Sequence, residues 1–165
     1  VKELMDKGRR DLGLLLEPIE MGKYEFIRLD MKERWVVLMP PDDPLVGKKY
    51  VKADELAGLP LILPRRMQVQ SELASWFGDY YKNLNILFTS NLSTNGAVMV
   101  SRGLAYSLVI EGAVPFWDSS KIVCRPLYPE LMATCVLAWK REQPFSLAAT
   151  KFIEYAKCFL SMSEA

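Results

Sequence analysis

The sequence predicts an α/β fold built around a largely parallel sheet. Short apolar runs that suit buried strands alternate along the chain with segments of helical periodicity. The run at 35–39, Trp-Val-Val-Leu-Met, is continuously apolar, as expected for a strand buried on both faces. Half of the 165 residues are hydrophobic, so a chain of this length can bury a substantial core.

The first segments predict the end of a helix followed by two strands. Residues 1–7 have the composition of a last helical turn, and Gly8 is placed to stop it. Residues 11–17 are predicted to form a buried strand that ends at Pro18. Residues 24–29 alternate weakly between apolar and polar side chains and predict a second strand.

The stretch from 33 to 64 reads as strand, turn, helical turn and strand. Two prolines end the strand at 35–39, because proline cannot donate a hydrogen bond to a ladder. Asp-Asp-Pro at 42–44 is turn chemistry. Residues 53–57 predict one helical turn, and residues 59–63 the next buried strand.

A clear amphipathic helix is predicted over 70–82. Its aromatic side chains recur at helical spacing, which is more typical of a core-facing stripe than of a platform for stacking bases. A short strand follows at 86–89, and a helix at 96–102 is stopped by Gly103.

The last third predicts three strands and a helix. The strands cover 104–110, 121–127 and 133–139, and each is rich in apolar residues. The helix covers about 146–160, with its apolar residues on one face.

Composition narrows the classes of function. Histidine is absent, which removes the commonest general base and metal ligand. The net charge of +1 does not indicate a nucleic-acid-binding face. Cys124, Cys135 and Cys158 match no zinc spacing and are expected to be buried thiols in a reducing compartment. We therefore expect no metal and no cofactor. No apolar run is long enough to span a bilayer, so no membrane partner is expected.

Four segments, in order, resemble the effector-binding domain of LysR-type transcriptional regulators. They are GRRDLGL at 8–14, the stretch 33–64, VSRGLAYSL at 100–108, and the strand from 133 with the amphipathic helix after it. Ala105 stands where the family has a second glycine. Each motif is common by itself, but their order covers nearly the whole chain.

The resemblance implies a type 2 periplasmic-binding-protein-like fold, with two Rossmann-like lobes and a ligand cleft between them. Lobe I would comprise 1–39 and 130–165, and lobe II would comprise 40–129. The family pattern starts earlier, with a winged helix-turn-helix and then a strand-helix-strand of lobe I, neither of which is in this chain. We therefore expect an N-terminally truncated domain, which would contact DNA only through the missing part.

The resemblance also implies a sensor function. The domain would bind a small molecule and control transcription in the cytoplasm, as part of a homodimer or higher oligomer. A solute-binding protein of a transport system is an alternative with the same fold. An enzyme is not expected, because Asp42, Asp43 and Glu111 are the only carboxylates near the predicted loops and no nucleophile-base pair is visible.

The candidate effector site combines two helix starts with the end of a strand. Free N–H groups at a helix start favour anions, and arginine can add a bidentate contact to a carboxylate. The competing interpretations are solvated arginines, ordinary helix capping and, for Glu111, a solvated carboxylate instead of an ammonium ligand. The candidate residues are Arg65, Arg66, Gln68, Ser71, Asn91, Ser93, Thr94, Asn95 and Ser107.

Overall fold

A computed structural model describes residues 1–162 of the chain. The chain divides into two compact units. One unit combines Val1–Lys32 with the chain from Thr134 onward, and the other is Glu33–Ala133. The chain passes between the units inside two strands. The lobe boundaries predicted from the sequence, at 39 and 130, lie in or beside the same two strands.

The elements alternate as the sequence predicts, with additional short ones. The helices are α1 Lys2–Asp6, α2 Ala53–Leu56, α3 Met67–Phe77, α4 Ser93–Val100 and α5 Leu147–Met162. The strands are β1 Leu12–Leu16, β2 Tyr24–Met39, β3 Val51–Lys52, β4 Pro60–Pro64, β5 Asn85–Ser90, β6 Tyr106–Ile110, β7 Val123–Tyr128 and β8 Met132–Lys140. Short 3-10 helices cover Pro44–Gly47, Gly78–Asn83 and Glu111–Phe116.

In the first unit, α1 packs on a small antiparallel arrangement of strands. β1 pairs with β8, so that Leu14 lies opposite Leu137. Gly13 allows the close approach of α1, because a Cβ there would lie 2.7 Å from the Met5 sulfur. The core of this unit contains Met5, Leu15, Tyr24, Val136 and Ala138, all buried.

In the second unit, the sheet is mixed. β4 pairs in parallel with β5 on one side and with β6 on the other. β2 is antiparallel to both β6 and β7, and β3 is parallel to β7. The expectation of a largely parallel sheet was therefore correct for β4, β5 and β6 and for the short β3–β7 pair, but not for the pairings of β2.

The core of the second unit lies between α4 and the sheet. Val36 and Leu38 alternate along β2 and point to the same face, as the two-residue period of a strand requires. They meet buried residues of α4, β6 and the segment before β7: Ala97, Val100, Val109 and Ile122. This cluster anchors the helix that begins at the candidate site.

Several predicted elements differ from the structure, among them the helix predicted over 96–102, which is α4 and covers Ser93–Val100. The strands predicted at 24–29 and 35–39 are parts of one strand, β2, because the polar residues between them continue the extended backbone. The helix predicted over 70–82 begins at Met67 and ends at Phe77. Gly78 follows with φ of 57°, a left-handed conformation that terminates the α-helix. Within the described residues, no helix is both long and apolar enough to cross a membrane.

Candidate functional site

The carboxyl ends of β4 and β5 meet at one edge of the sheet in the second unit. Pro64 lies opposite Ser90 in the parallel register. Beyond the ladder, the Arg65 amide donates a hydrogen bond to the Ser90 carbonyl over 3.0 Å. The loops that leave the two strands therefore run side by side, and each leads directly into a helix.

Both helices begin at this edge without a side-chain cap. Arg66 precedes α3 and Leu92 precedes α4, and neither accepts a capping bond through its side chain. Leu92, and not one of the polar residues at 91–95, occupies the capping position of α4, so the interpretation of these residues as ordinary helix caps is wrong. Before the helix, the Ser90 hydroxyl oxygen accepts a hydrogen bond from the Leu92 backbone amide over 3.1 Å. The partial positive charge of each helix start consequently faces this edge.

The candidate residues at the start of α3 have different exposures. Arg65 is exposed at the end of β4, whereas Arg66 and Gln68 are half-buried. The two arginines are consecutive and stand between the end of β4 and the first turn of α3. The structure thus brings Arg65, Arg66 and Gln68 together around one helix start.

Hydrogen bonds hold the first turns of α3 in place. The side-chain amide nitrogen of Gln70, Nε2, donates a hydrogen bond to the Pro64 carbonyl over 2.8 Å and so fastens the helix to the end of β4. The Ser71 hydroxyl, exposed one turn into the helix, donates to the Met67 carbonyl over 3.0 Å. Ser71 therefore bonds to its own helix rather than lying at the sheet edge.

The second group of candidate residues surrounds the start of α4. Asn91, Ser93, Thr94 and Asn95 are all exposed. The backbone N–H of Asn95 donates a hydrogen bond to the Leu92 carbonyl over 3.2 Å, which tightens the first turn of α4. This short segment carries four polar side chains next to the loop that contains Arg65.

Ser107 does not belong to this exposed group. It is only 3% exposed and lies opposite Ile62 in the β4–β6 pairing. Gly96 of α4 packs directly over it, because a Cβ at Gly96 would lie 2.5 Å from the Ser107 hydroxyl oxygen. The structure therefore gives Ser107 a packing role, at the close contact between α4 and β6.

Glu111, at the carboxyl end of β6, is not simply solvated. Its two carboxylate oxygens accept hydrogen bonds from Arg34 Nε and Nη2 over 2.8 and 2.9 Å. This pair raises the pKa of Arg34. Beside it, the Glu33 carboxylate accepts a hydrogen bond from the Gly112 amide over 2.9 Å. Arg34 and Glu111 are 77 positions apart, so their spacing in the sequence carries no signal of this pairing.

A cavity of about 350 Å³ lies under the Glu111–Phe116 helix. Its lining is mainly apolar, with Glu111 and Ser119 as the polar members. The remaining lining residues are Val114, Pro115, Trp117, Ile122 and Cys124. Burial, and secondarily the charge of Glu111, raise the pKa of the Cys124 thiol, which keeps it protonated and weakly nucleophilic. The cavity was not predicted from the sequence, although all of its lining residues come from one stretch, 111–124.

Across residues 1–162, no three side chains of the His, Cys, Asp and Glu types are grouped so that they could hold a metal ion. At the β4–β5 edge, the structure places two helix starts next to exposed polar side chains.

Comparison with solved structures shows which class of domain has this fold. The regulatory domain of CcmR from Synechocystis PCC6803, solved in complex with 2-PG, superposes with a TM-score of 0.73 at 16% identity. The match covers 96% of this chain and 77% of that one. HinK, a LysR family transcriptional regulator from Pseudomonas aeruginosa, gives a TM-score of 0.70 at 23% identity, over 96% of this chain and 55% of that one. The fold is that of a LysR regulatory domain, as the sequence resemblance implied.

The sequence itself assigns the family. The family model described as the LysR substrate binding domain matches residues 1–161, so the chain belongs to that family. One relative is the Hca operon transcriptional activator HcaR of Escherichia coli strain K12, which is 26% identical over 147 residues. That alignment covers 85% of this chain and 48% of HcaR. The chain spans about half the length of the curated relatives it matches.

Proposed function

We propose that this chain is the effector-sensing part of a transcription regulator that binds DNA through another domain. The family assignment supports a binding role, and HcaR is by its name a transcriptional activator. The CcmR regulatory domain was solved with a small molecule bound. An effector that binds better to one conformation of such a regulator shifts the population toward that conformation and so changes its action on DNA.

The effector site that we propose is the β4–β5 edge, and its ligand is a small anion. The single observation that carries this proposal is the start of two helices, side by side and without side-chain caps, next to Arg65 and Arg66. Helix starts attract negative charge, and guanidinium groups bind carboxylate or phosphate through two parallel hydrogen bonds. Thr94 and its polar neighbours would supply further hydrogen bonds to the same ligand.

Calorimetry with matched variants of the full chain tests the proposal. Wild type would be titrated with inorganic phosphate and with a panel of mono- and dicarboxylates. Arg65→Gln and Arg66→Gln should each weaken the tightest binder by about tenfold or more, the effect of losing one charge-assisted contact. Arg102→Gln is the matched control, because Arg102 is an exposed arginine beyond the other end of α4 and should change affinity by less than about twofold.

Two results would remove the site from this edge. One is an anion that binds with unchanged affinity in the Arg65 and Arg66 variants. The other is a best ligand that is cationic or neutral. Urea denaturation of each variant would verify that the unfolding midpoint is preserved, so that a lost affinity reports on the site.

We further propose that the whole regulator works in the cytoplasm as a homodimer or higher oligomer. The support is the named function of its relatives, since a regulator must meet DNA and commonly does so as a symmetric assembly. Light scattering on the full-length gene product, with and without promoter DNA, tests the assembly. A monomer in both conditions would contradict it.

A further inference from the structure

The cavity under the Glu111–Phe116 helix has the construction of a ligand pocket. Its volume of about 350 Å³ lies at the small end of the roughly 300–1,000 Å³ that small-molecule sites occupy. One wall is firmly built, because Val114, Trp117 and Cys124 pack against the core cluster of the second unit. The cavity therefore keeps its shape without a ligand, and its apolar lining suits an aromatic or branched aliphatic body.

The charge at the mouth of this cavity favours a cation. Glu111 is the charged residue of its lining. Around Glu111 lie two more carboxylates: Glu33 on the Gly112 amide, and Glu130 at 3.9 Å from Arg34. Two of these carboxylates, Glu111 and Glu130, face the Arg34 guanidinium, and Glu33 is bound to the Gly112 amide. The Asp118–Lys121 pair farther along the loop is balanced, so it does not cancel the negative charge.

The Glu111 carboxylate retains the capacity to accept another hydrogen bond. Arg34 occupies one position on each of its oxygens, and a carboxylate oxygen has two lone pairs. The charge of Glu111 also reaches into the cavity, where it adds to the effect of burial in raising the pKa of Cys124, against the opposing charges of Arg125 and Arg34. The Trp117 ring in the lining offers a face to which a cation is attracted.

We infer that this cavity binds a small organic ammonium ion. Its apolar body would lie against Trp117 and Ile122, and its ammonium group would donate a hydrogen bond to Glu111. This site takes the opposite charge from the β4–β5 edge and does not depend on the function proposed there. It would allow the domain to respond to a second molecule.

A charge series of probes on the full chain tests the inference. Benzylamine, benzyl alcohol and benzoate share one ring and differ in charge, and backbone amide chemical shifts would locate where each binds. Benzylamine should bind about tenfold more tightly than benzyl alcohol, the difference that a charge-assisted hydrogen bond makes. Its shifts should concentrate between Glu111 and Cys124, while benzoate should leave that segment unchanged.

Variants of the ion pair give effects of opposite sign. Glu111→Gln should weaken benzylamine by about fivefold or more, because the ligand loses its charged partner. Arg34→Gln should strengthen it, since Glu111 is then unpaired. Glu154→Gln is the matched control: it removes an exposed carboxylate of α5 that does not line the cavity, and should change affinity by less than about twofold.

The inference is overturned if benzyl alcohol binds as tightly as benzylamine. It is equally overturned if Glu111→Gln and Arg34→Gln shift affinity in the same direction, or if millimolar benzylamine moves no amide between 111 and 124. Benzylamine that shifts amides only in other parts of the chain would likewise overturn the inference, because no amide between 111 and 124 would then move.

Discussion

Replacing Gly96 by alanine tests the close packing of α4 on β6. A Cβ at this position would lie 2.5 Å from the Ser107 hydroxyl oxygen and 3.2 Å from the Ser107 Cβ. The first distance is about 1 Å shorter than an ordinary contact of roughly 3.5 Å. Either the hydroxyl rotates away, which leaves the tight contact to the Ser107 Cβ, or α4 must move off the sheet.

The expected net effect is a loss of stability. Overpacking of this kind costs about 1–3 kcal/mol. Alanine in place of glycine recovers about 1 kcal/mol of helix propensity. The variant Gly96→Ala should therefore be less stable by up to about 2 kcal/mol, which lowers the melting temperature by up to about 8 °C for a chain of this size.

Urea denaturation followed by tryptophan fluorescence measures this loss, with two further variants. Gly22→Ala is the control for a general glycine-to-alanine effect, because nothing lies within 4 Å of a Cβ there. Ser107→Ala removes the hydroxyl, so Gly96→Ala in that background should cost about 1 kcal/mol less than in wild type. A Gly96→Ala protein as stable as wild type, without coupling to position 107, would refute the packing described here.

Three further predictions follow from the described contacts. Burial opposes the ionisation of Asp6, but hydrogen bonds from Tyr24 and Lys23 outweigh it and lower its pKa. The stabilisation that ionised Asp6 gives the fold is thus present above about pH 4 and is lost as the pH falls. In a plot of the urea unfolding midpoint against pH, Asp6→Asn should reduce the fall on the acid side. An unchanged fall would contradict this. Burial first, then the bond to Asp43, raise the pKa of Tyr106 to about 12, so its contribution to stability disappears as the pH rises from about 10 through 12. Ultraviolet titration should show that Tyr106→Phe removes a phenol that ionises at about pH 12, and loss of an ordinary phenol near pH 10 instead would refute it. Leu14 is 64% exposed on β1, which lies at the end of the strand order and pairs with β8. The chain should therefore self-associate through this edge strand, and Leu14→Lys should reduce the association measured by light scattering. Equal association of both proteins would show that β1 is not the surface of association.

The sequence allowed the helices and most of the strands to be predicted, because local patterns determine them. The continuous apolar run at 35–39 is the buried end of β2, and the glycine at 103 follows the end of α4 with φ of 68°. The boundary errors have local causes as well. Gly78 ends α3 earlier than its aromatic stripe suggests, since that stripe continues into a 3-10 helix.

The arrangement at the site depended on contacts that no local pattern encodes. Ser107 is polar and near a strand end, which predicted exposure, yet Gly96 covers it from a separate helix. A carboxylate directly after a strand is typical of a solvated loop residue, but Arg34, from a strand that is distant in the sequence, pairs with Glu111. The antiparallel pairing of β2 with β6 brings Arg34 and Glu111 together. This contact was not predicted, because a largely parallel sheet was expected from the sequence.

Amide chemical-shift mapping of the full chain with its tightest-binding anion tests the proposed effector site at the β4–β5 edge. Saturable shifts should concentrate at 65–69 and 91–96, which are the residues at and around the starts of α3 and α4. The largest losses of affinity should occur in Arg65→Gln and Arg66→Gln. Saturable shifts that leave both helix starts unchanged would contradict it, and would place the effector elsewhere on the domain.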